Sequence, residues 1–401
     1  MRVKPLDGVV VVAVEQAVAA PFATRQLADL GARVIKIERP GSGDFARAYD
    51  ETVEGMSSAF VWLNRGKESV ALDFHDDDGR VVLESLIERS DVFVNNLSPA
   101  ASRRAGLDTS SIQSRHPHVI ACSISGYGQS GPLANAKAYD LLVQGETGMI
   151  SLTGSGDQMA KVGISIADIS AGTYAYSSIL AALLHRDRTG VALPVDVSLF
   201  DSLTEWLGYP LYYTMHGGCA PDRRGTDHST IAPYGAFATE DGGRVLIAVQ
   251  NGREWFRFCD QVLGDASMAA LSRFASHQSR VAHRGELDDV ISAHFGSVTL
   301  ETALDQLRLA DIATARLNGI ADLAHHEQLT ERRRWIDTGI PGGTIQTLLP
   351  PWVPGDASSR PDLGDVPELG EHTSTVLEWL DSDDSTRSRS GLETAKERKA
   401  R

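Results

Sequence analysis

The chain has 401 residues, of which 42% are hydrophobic and 23% charged, enough for two domains and a large buried core. Its formal net charge of −15 excludes a general nucleic-acid binder, which needs a basic footprint, although local arginines can still hold phosphate. Its three cysteines, Cys122, Cys219 and Cys259, form no CxxC pair, which gives no zinc motif and suits a reducing, cytoplasmic setting.

The predicted elements alternate from the start. Val9–Val14 reads as a buried strand; Asp7 before it and Glu15 after it argue against a signal peptide. No stretch reaches about 18 uncharged apolar residues, so no transmembrane helix is expected. Pro21–Leu30 reads as a helix stopped by Gly31, and Arg33–Glu38 alternates like a strand. The turn Arg39-Pro40-Gly41-Ser42-Gly43-Asp44 follows, able to leave Arg39 beside a phosphate or to be a simple turn. Ser69–Phe74, Asp91–Asn95 and His118–Ser125 read as strands, with an amphipathic helix over Gly79–Arg89. Such alternation predicts a parallel, doubly wound sheet with ligands beyond the carboxyl ends of its strands.

Ser125–Pro132 is a second glycine-bearing loop, without the G-x-S-x-G pattern of a lipase. Next comes Asp168, a carboxylate in the apolar, small-residue segment Val162–Gly172. An unpaired charge there is costly to bury. A dry carboxylate can serve as a nucleophile toward an activated acyl group; alternatively Asp168 caps the helix predicted from Ser170 to His185. Val195–Ser198 reads as a strand and Leu199–Leu207 as a helix. Beyond Gly217 the composition turns polar. Gly235–Thr239 and Arg244–Val249 bracket Glu240-Asp241-Gly242-Gly243, a hairpin signal, and 250–325 is mostly helical. Pro350–Pro354 and Arg360-Pro361 mark an irregular segment, and Thr373–Leu380 a last helix. The resulting division is a large Rossmann-like domain over 1–220, a small α+β domain over 221–330, a return segment over 331–380 and a disordered tail over 381–401.

Several motifs in order resemble one family. They are Pro21-Phe22-Ala23-Thr24, Leu27–Glu38, Asn64-Arg65-Gly66-Lys67, Ser69–Asp73, Asp91–Asn96, Ser125–Gly128, Ala138-Tyr139-Asp140, Ala167-Asp168 and Leu369–Thr373. Together they resemble the class III CoA-transferases over nearly the whole chain. The resemblance implies an α/β fold with a Rossmann-like doubly wound large domain, a smaller α+β domain and an interlocked homodimer. It implies Asp168 as the nucleophile, with Tyr139 and Asp140 beside the reacting thioester. It implies CoA contacts from the backbone of Val18 and Ala19 and from Arg39, Leu72, His75, Asn96, Arg104 and Lys137. Coenzyme A or an acyl-CoA is then a substrate with a carboxylic acid as its partner. No metal, permanently bound cofactor, nucleic acid or membrane is implied.

Departures from the family pattern refine this reading. His75 stands where some relatives carry lysine. The tetraglycine loop of formyl-CoA transferase is absent; the matching stretch, Thr226–Gly235, contains Pro233 and β-branched residues, which do not move like four glycines. The 2-methylacyl-CoA racemases, which the chain also resembles, place histidine where Tyr139 stands. A tyrosine with an ordinary pKa of about 10 is a poor acid/base for racemisation, so transferase leads, with racemase and non-catalytic CoA binder as alternatives. Val14–Pro21 and Ser229–Gly235 resemble relatives acting on short dicarboxylic acyl groups of the mesaconyl, succinyl or itaconyl type. Arg47 is a candidate for the distal carboxylate, or else a surface salt bridge.

Overall fold

The computed structural model describes residues 4–352 and 361–382. Val353, Pro354 and Arg360 of the irregular segment, and the predicted tail from 383 onward, lie outside the described residues. The chain splits into two compact units. The larger comprises the described residues of Met1–Thr147, Gly163–Gly208 and Arg332–Arg401; the smaller comprises Gly148–Val162 and Tyr209–Glu331. Residues 148–162 join the smaller unit through backbone bonds: Gly225 N donates to Gly154 O (2.8 Å) and Gly156 N to Arg223 O (3.2 Å).

The larger unit is built on six parallel strands: β1 (Val10–Val14), β2 (Arg33–Glu38), β3 (Lys67–Ala71), β4 (Val92–Asn95), β5 (Ile120–Ser125) and β6 (Val195–Ser198). Their order is β3-β2-β1-β4-β5-β6, the doubly wound arrangement with its switch point between β1 and β4. One face packs Val12, Val14, Ile35, Ile37 and Phe93 against Leu83, Leu86 and Ile87 of the helix Asp77–Glu88. The other is covered by two helices, α1 (Ala19–Asp29) and α2 (Ile166–Thr189), which pack on each other. With both faces covered, the strands are buried almost throughout, as parallel strands are.

Two elements differ from their sequence reading in informative ways. The first helix starts at Ala19, ahead of Pro21; a first-turn proline loses no helical hydrogen bond, because those amides have no intrahelical acceptor. β2 alternates in sequence, but only Arg33 is partly exposed; Lys36 and Glu38 are buried with ionic partners. The free edge of β3 is closed by the segment that follows residue 361. Ser69 N donates to His372 Nδ1 (3.3 Å), Ala71 N to Thr373 Oγ1 (3.0 Å) and His372 N to Ser69 O (2.9 Å). Side chains thereby occupy donors that an open edge would offer to another strand, and Val376 and Leu380 of the following helix enter the core.

The smaller unit carries an antiparallel sheet ordered Ala313–Arg316, Arg244–Ala248, Tyr234–Ala238. Its core includes Trp255, Phe258, Phe274 and Phe295. The stretch Thr226–Gly235 is held from below by two buried arginines. Arg280 Nε donates to Ala232 O (2.7 Å), while Arg284 Nη2 donates to His228 O (2.6 Å) and Ile231 O (2.5 Å). Among the described residues, no helix is long and apolar enough to cross a membrane.

Candidate active site

Beyond the carboxyl ends of β1 to β4 lies a cleft of about 170 Å³, where the switch-point rule places a ligand. Arg39, Leu72 and His75 line it together with Glu15, Gln16, Phe74 and Ala101. The Phe74 and His75 rings adjoin, with centroids 4.6 Å apart. Arg104 belongs to the helix Pro99–Ala105, whose Ala101 and Ala105 line the same cleft. Arg39, Arg104 and Lys137 are exposed. Among the described residues, none of the three is recorded in an ion pair, which leaves their charge available to an anion.

A turned-back loop, Glu15–Val18, forms one side of this cleft. Asn96 accepts from Gln16 N (3.0 Å) and donates to Gln16 O (2.7 Å), so its side chain is spent on the loop. Asp44 Oδ1 accepts from Ala17 N (3.0 Å), and Ala17 sits at φ 61°, a left-handed conformation that such bonds must hold. Behind the loop lies a buried ionic network. Glu15 meets Lys67 (2.7 Å) and Lys36 (3.4 Å), and Lys36 meets Asp44 (2.8 Å). Burial works against the Lys67 ammonium and, with Lys36 nearby, brings it to about 8 despite the opposing charge of Glu15. Val18 and Ala19, buried, lead from this loop into α1.

Asp168 lies in the first turn of α2, one turn before a glycine that lets α1 approach. It is not the cap that the sequence left open. Ser165 holds the cap position without a side-chain bond, and the capping oxygen comes from elsewhere. Asp140 Oδ1 accepts from Ala167 N (2.7 Å) and Asp168 N (3.4 Å). Among the described residues, no hydrogen bond to the Asp168 carboxylate is recorded. Burial, and then the neighbouring Asp140 charge, push its carboxyl up to about 7. Tyr139 precedes Asp140 and is 66% exposed.

Tyr49 is a member of this group that sequence reasoning missed. Burial, followed by the charges of Asp44, Asp168 and Tyr139, pushes its phenol up to about 12. It ends the short helical turn Phe45–Ala48, whose cap is Asp44, a residue that lines the cleft. The only sequence signal was its place after the glycine-rich turn.

Arg47 requires a correction. Its guanidinium makes two bonds to Glu38 (2.7 and 2.8 Å) and lies over the Phe60 ring. Burial raises the Glu38 carboxyl, but the bonds from Arg47 and the charge of Lys36 outweigh it and hold the group at about 2. Arg47 is thus committed to an internal carboxylate rather than to a ligand or a surface pair. In the glycine-rich loops two amides are already engaged within the protein: Gly43 N donates to Arg39 O (2.9 Å) and Gly128 N to Ser125 Oγ (3.1 Å).

Comparison with known proteins follows the same lines. CoA-transferase family III matches residues 6–373. Succinate–glutarate CoA-transferase of Agrobacterium fabrum is 33% identical over 394 residues, covering 96% of this chain and 98% of that protein. Succinyl-CoA:mesaconate CoA-transferase of Haloarcula hispanica is 30% identical over 384 residues, covering 93% and 96%. A crystal structure of a CAIB/BAIF family protein from Brucella suis superposes with a TM-score of 0.82 at 31% identity, over 94% of this chain and 100% of that one.

Proposed function

This chain belongs to CoA-transferase family III, and from that premise we propose that it moves CoA between short dicarboxylic acids through a covalent intermediate on Asp168. The observation that carries the reading is the Asp168 carboxyl itself: set in the first turn of a helix, without a recorded hydrogen-bond partner, and pushed up to about 7. A carboxylate more basic than an ordinary one is the better nucleophile toward a thioester.

Four displacements complete the reaction. An Asp168 oxygen attacks the thioester carbon; the C–S bond breaks, giving an acyl-aspartyl anhydride and CoA thiolate. The thiolate attacks the aspartyl carbonyl and releases the donor acid as a carboxylate, leaving an aspartyl-CoA thioester. The acceptor carboxylate attacks that carbonyl, expelling thiolate and forming a second anhydride. The thiolate then attacks the new acyl carbon, yielding the product thioester and restoring the Asp168 carboxylate. The cycle consumes no proton and no electron, so it requires no resident cofactor.

Coenzyme A is the shared substrate. Its nucleotide lies in the β1–β4 cleft beside Leu72 and His75, its phosphates meet Arg39, Arg104 and Lys137, and its thiol reaches Asp168 past Val18 and Ala19. Asn96 serves by fixing the loop between them. The relatives named for succinate, glutarate and mesaconate support dicarboxylic acids as acceptors. The protein works as a homodimer in a reducing cytoplasm, where its three cysteines stay free. In support of a dimer, the helix Gly208–Gly217 has no buried residue, although Tyr209, Tyr212 and Met215 are apolar and more than half exposed. Ile320, at 85% exposure, marks a second uncovered stretch.

The test is transfer itself. With succinyl-CoA and isotopically labelled glutarate, mesaconate or acetate, label should appear in the CoA thioester of a dicarboxylic acid and not of acetate. Transfer to acetate alone would refute the substrate class. Solvent deuterium entering the α-carbon of a 2-methylacyl-CoA would indicate racemisation instead.

A further inference from the structure

Asp140 stands next to the reacting carboxylate, yet the four displacements above give it no bond to make. The sequence at 165–168 supplies no cap of its own, since Ser165 makes no side-chain bond. Asp140 supplies one across the fold: Oδ1 receives Ala167 N at 2.7 Å and Asp168 N at 3.4 Å. Its second oxygen, Oδ2, accepts from Gln144 Nε2 at 2.6 Å, which fixes the rotamer. Both oxygens are therefore engaged with protein groups.

We propose that Asp140 is a positioning residue for the nucleophile: it anchors the first turn of the Asp168 helix, and its charge governs how readily Asp168 ionises, without contact to the acyl group. The inference rests on the reading of Asp168 as nucleophile. The physical argument is one of competition. The positive end of a helix normally favours a carboxylate in its first turn. Here the amides that create that field are occupied by a different carboxylate, and Asp168 feels a like charge beside it. The Asp168 carboxyl is raised accordingly, by burial first and then by the charge of Asp140. Of the other titratable groups on the elements packed against α2, Glu146 on the Asp140 helix is exposed. Tyr139 and Tyr49 are phenols, the latter held neutral far above pH 7. On α1, Arg25 and Asp29 pair with each other (3.0 Å). On the helix Leu199–Trp206, Glu205 is exposed and Asp201 accepts from Ser198 Oγ (2.6 Å). On β5 and β6, Cys122 stays a thiol because burial raises it, and burial likewise raises Asp196.

Asp140→Asn separates the two roles, because asparagine caps a helix about as well as aspartate but carries no charge. Ionisation of Asp168 can be read without activity, from the melting temperature of each protein against its Asp168→Asn partner across pH. The sign is fixed by linkage. The folded carboxyl keeps its proton to higher pH than the unfolded one, so stability relative to the Asn partner falls from about pH 4, the unfolded value. It levels off once the folded carboxyl has ionised. The expected result is that in the Asp140→Asn background this plateau begins roughly one pH unit lower, with kcat reduced and KM for CoA unchanged. Asp140→Ser, which also keeps a capping oxygen, gives the same reading if the Asn variant misfolds. An unchanged plateau with lowered stability would make Asp140 a structural cap only and overturn the inference. Absence of any transfer in the wild type would instead refute the nucleophile reading, which the melting curves do not depend on.

Discussion

Gly172 lies so close to Ala19 that a Cβ on it would come within 2.6 Å of the Ala19 carbonyl oxygen. That contact brings the start of α1 against the helix carrying Asp168, one turn beyond the carboxylate. Gly172→Ala should force the two helices apart, costing about 1–3 kcal/mol of stability as overpacking does. Because a misplacement of about 1 Å at a reacting group can cost 10²-fold, kcat should fall more than stability alone explains. Thermal melting beside steady-state kinetics would check this; a variant with wild-type kcat would mean the approach does not position Asp168.

Activity should depend on pH in a way set by the same carboxyl. Only the carboxylate form attacks, and the group ionises near 7 in the free protein. The rate at low substrate, kcat/KM, should therefore fall about tenfold per unit as pH drops below that value and be level above it. A profile flat from pH 5 to 8 would contradict the raised ionisation.

Two arginines near the cleft should behave oppositely. Arg104, exposed and without a recorded ion pair, should lose CoA affinity about tenfold or more on conversion to alanine, the scale of a charge-assisted contact, with its melting temperature unchanged. Arg47→Ala leaves Glu38 buried without its arginine, keeping the bonds from Ser69 Oγ and Asp44 N, and should destabilise the fold by roughly 3 kcal/mol. Isothermal titration with CoA and thermal melting distinguish them; a CoA affinity unchanged in Arg104→Ala would remove it from the site.

Much of this was legible in the chain. The valine-rich run of β1 and the short apolar segments of β4 and β5 announce buried parallel strands, and Gly31, at φ 104°, marks the end of α1. The position of Asp168 was visible as a carboxylate among small apolar residues. Its relation to Asp140 was not, because a cap reaching across 28 residues leaves no local spacing to read. Lys36 looked like the polar half of an alternating strand, since its partners Glu15 and Asp44 come from other segments. Arg47 looked available for the same reason: nothing in its neighbourhood announces that Glu38 turns inward. Tertiary partners, rather than local pattern, decided each of these positions.

Assembly offers a separate check. The unburied helix Gly208–Gly217 and the exposed Ile320 should be covered by a second copy. Sedimentation at micromolar concentration should give a dimer, and Tyr212→Asp with Met215→Asp should weaken it. A stable, active monomer in the wild type would show that these surfaces serve another purpose.

The central claim is that Asp168 carries the acyl group, and trapping the intermediate tests it most directly. Enzyme treated with succinyl-CoA and then hydroxylamine should carry a hydroxamate at Asp168, located by peptide mass spectrometry. Asp168→Asn, nearly the same size but lacking the attacking oxygen anion, should carry none and should lose turnover by several orders of magnitude. An unmodified Asp168 in the wild type, together with normal turnover in the Asn variant, would contradict the account.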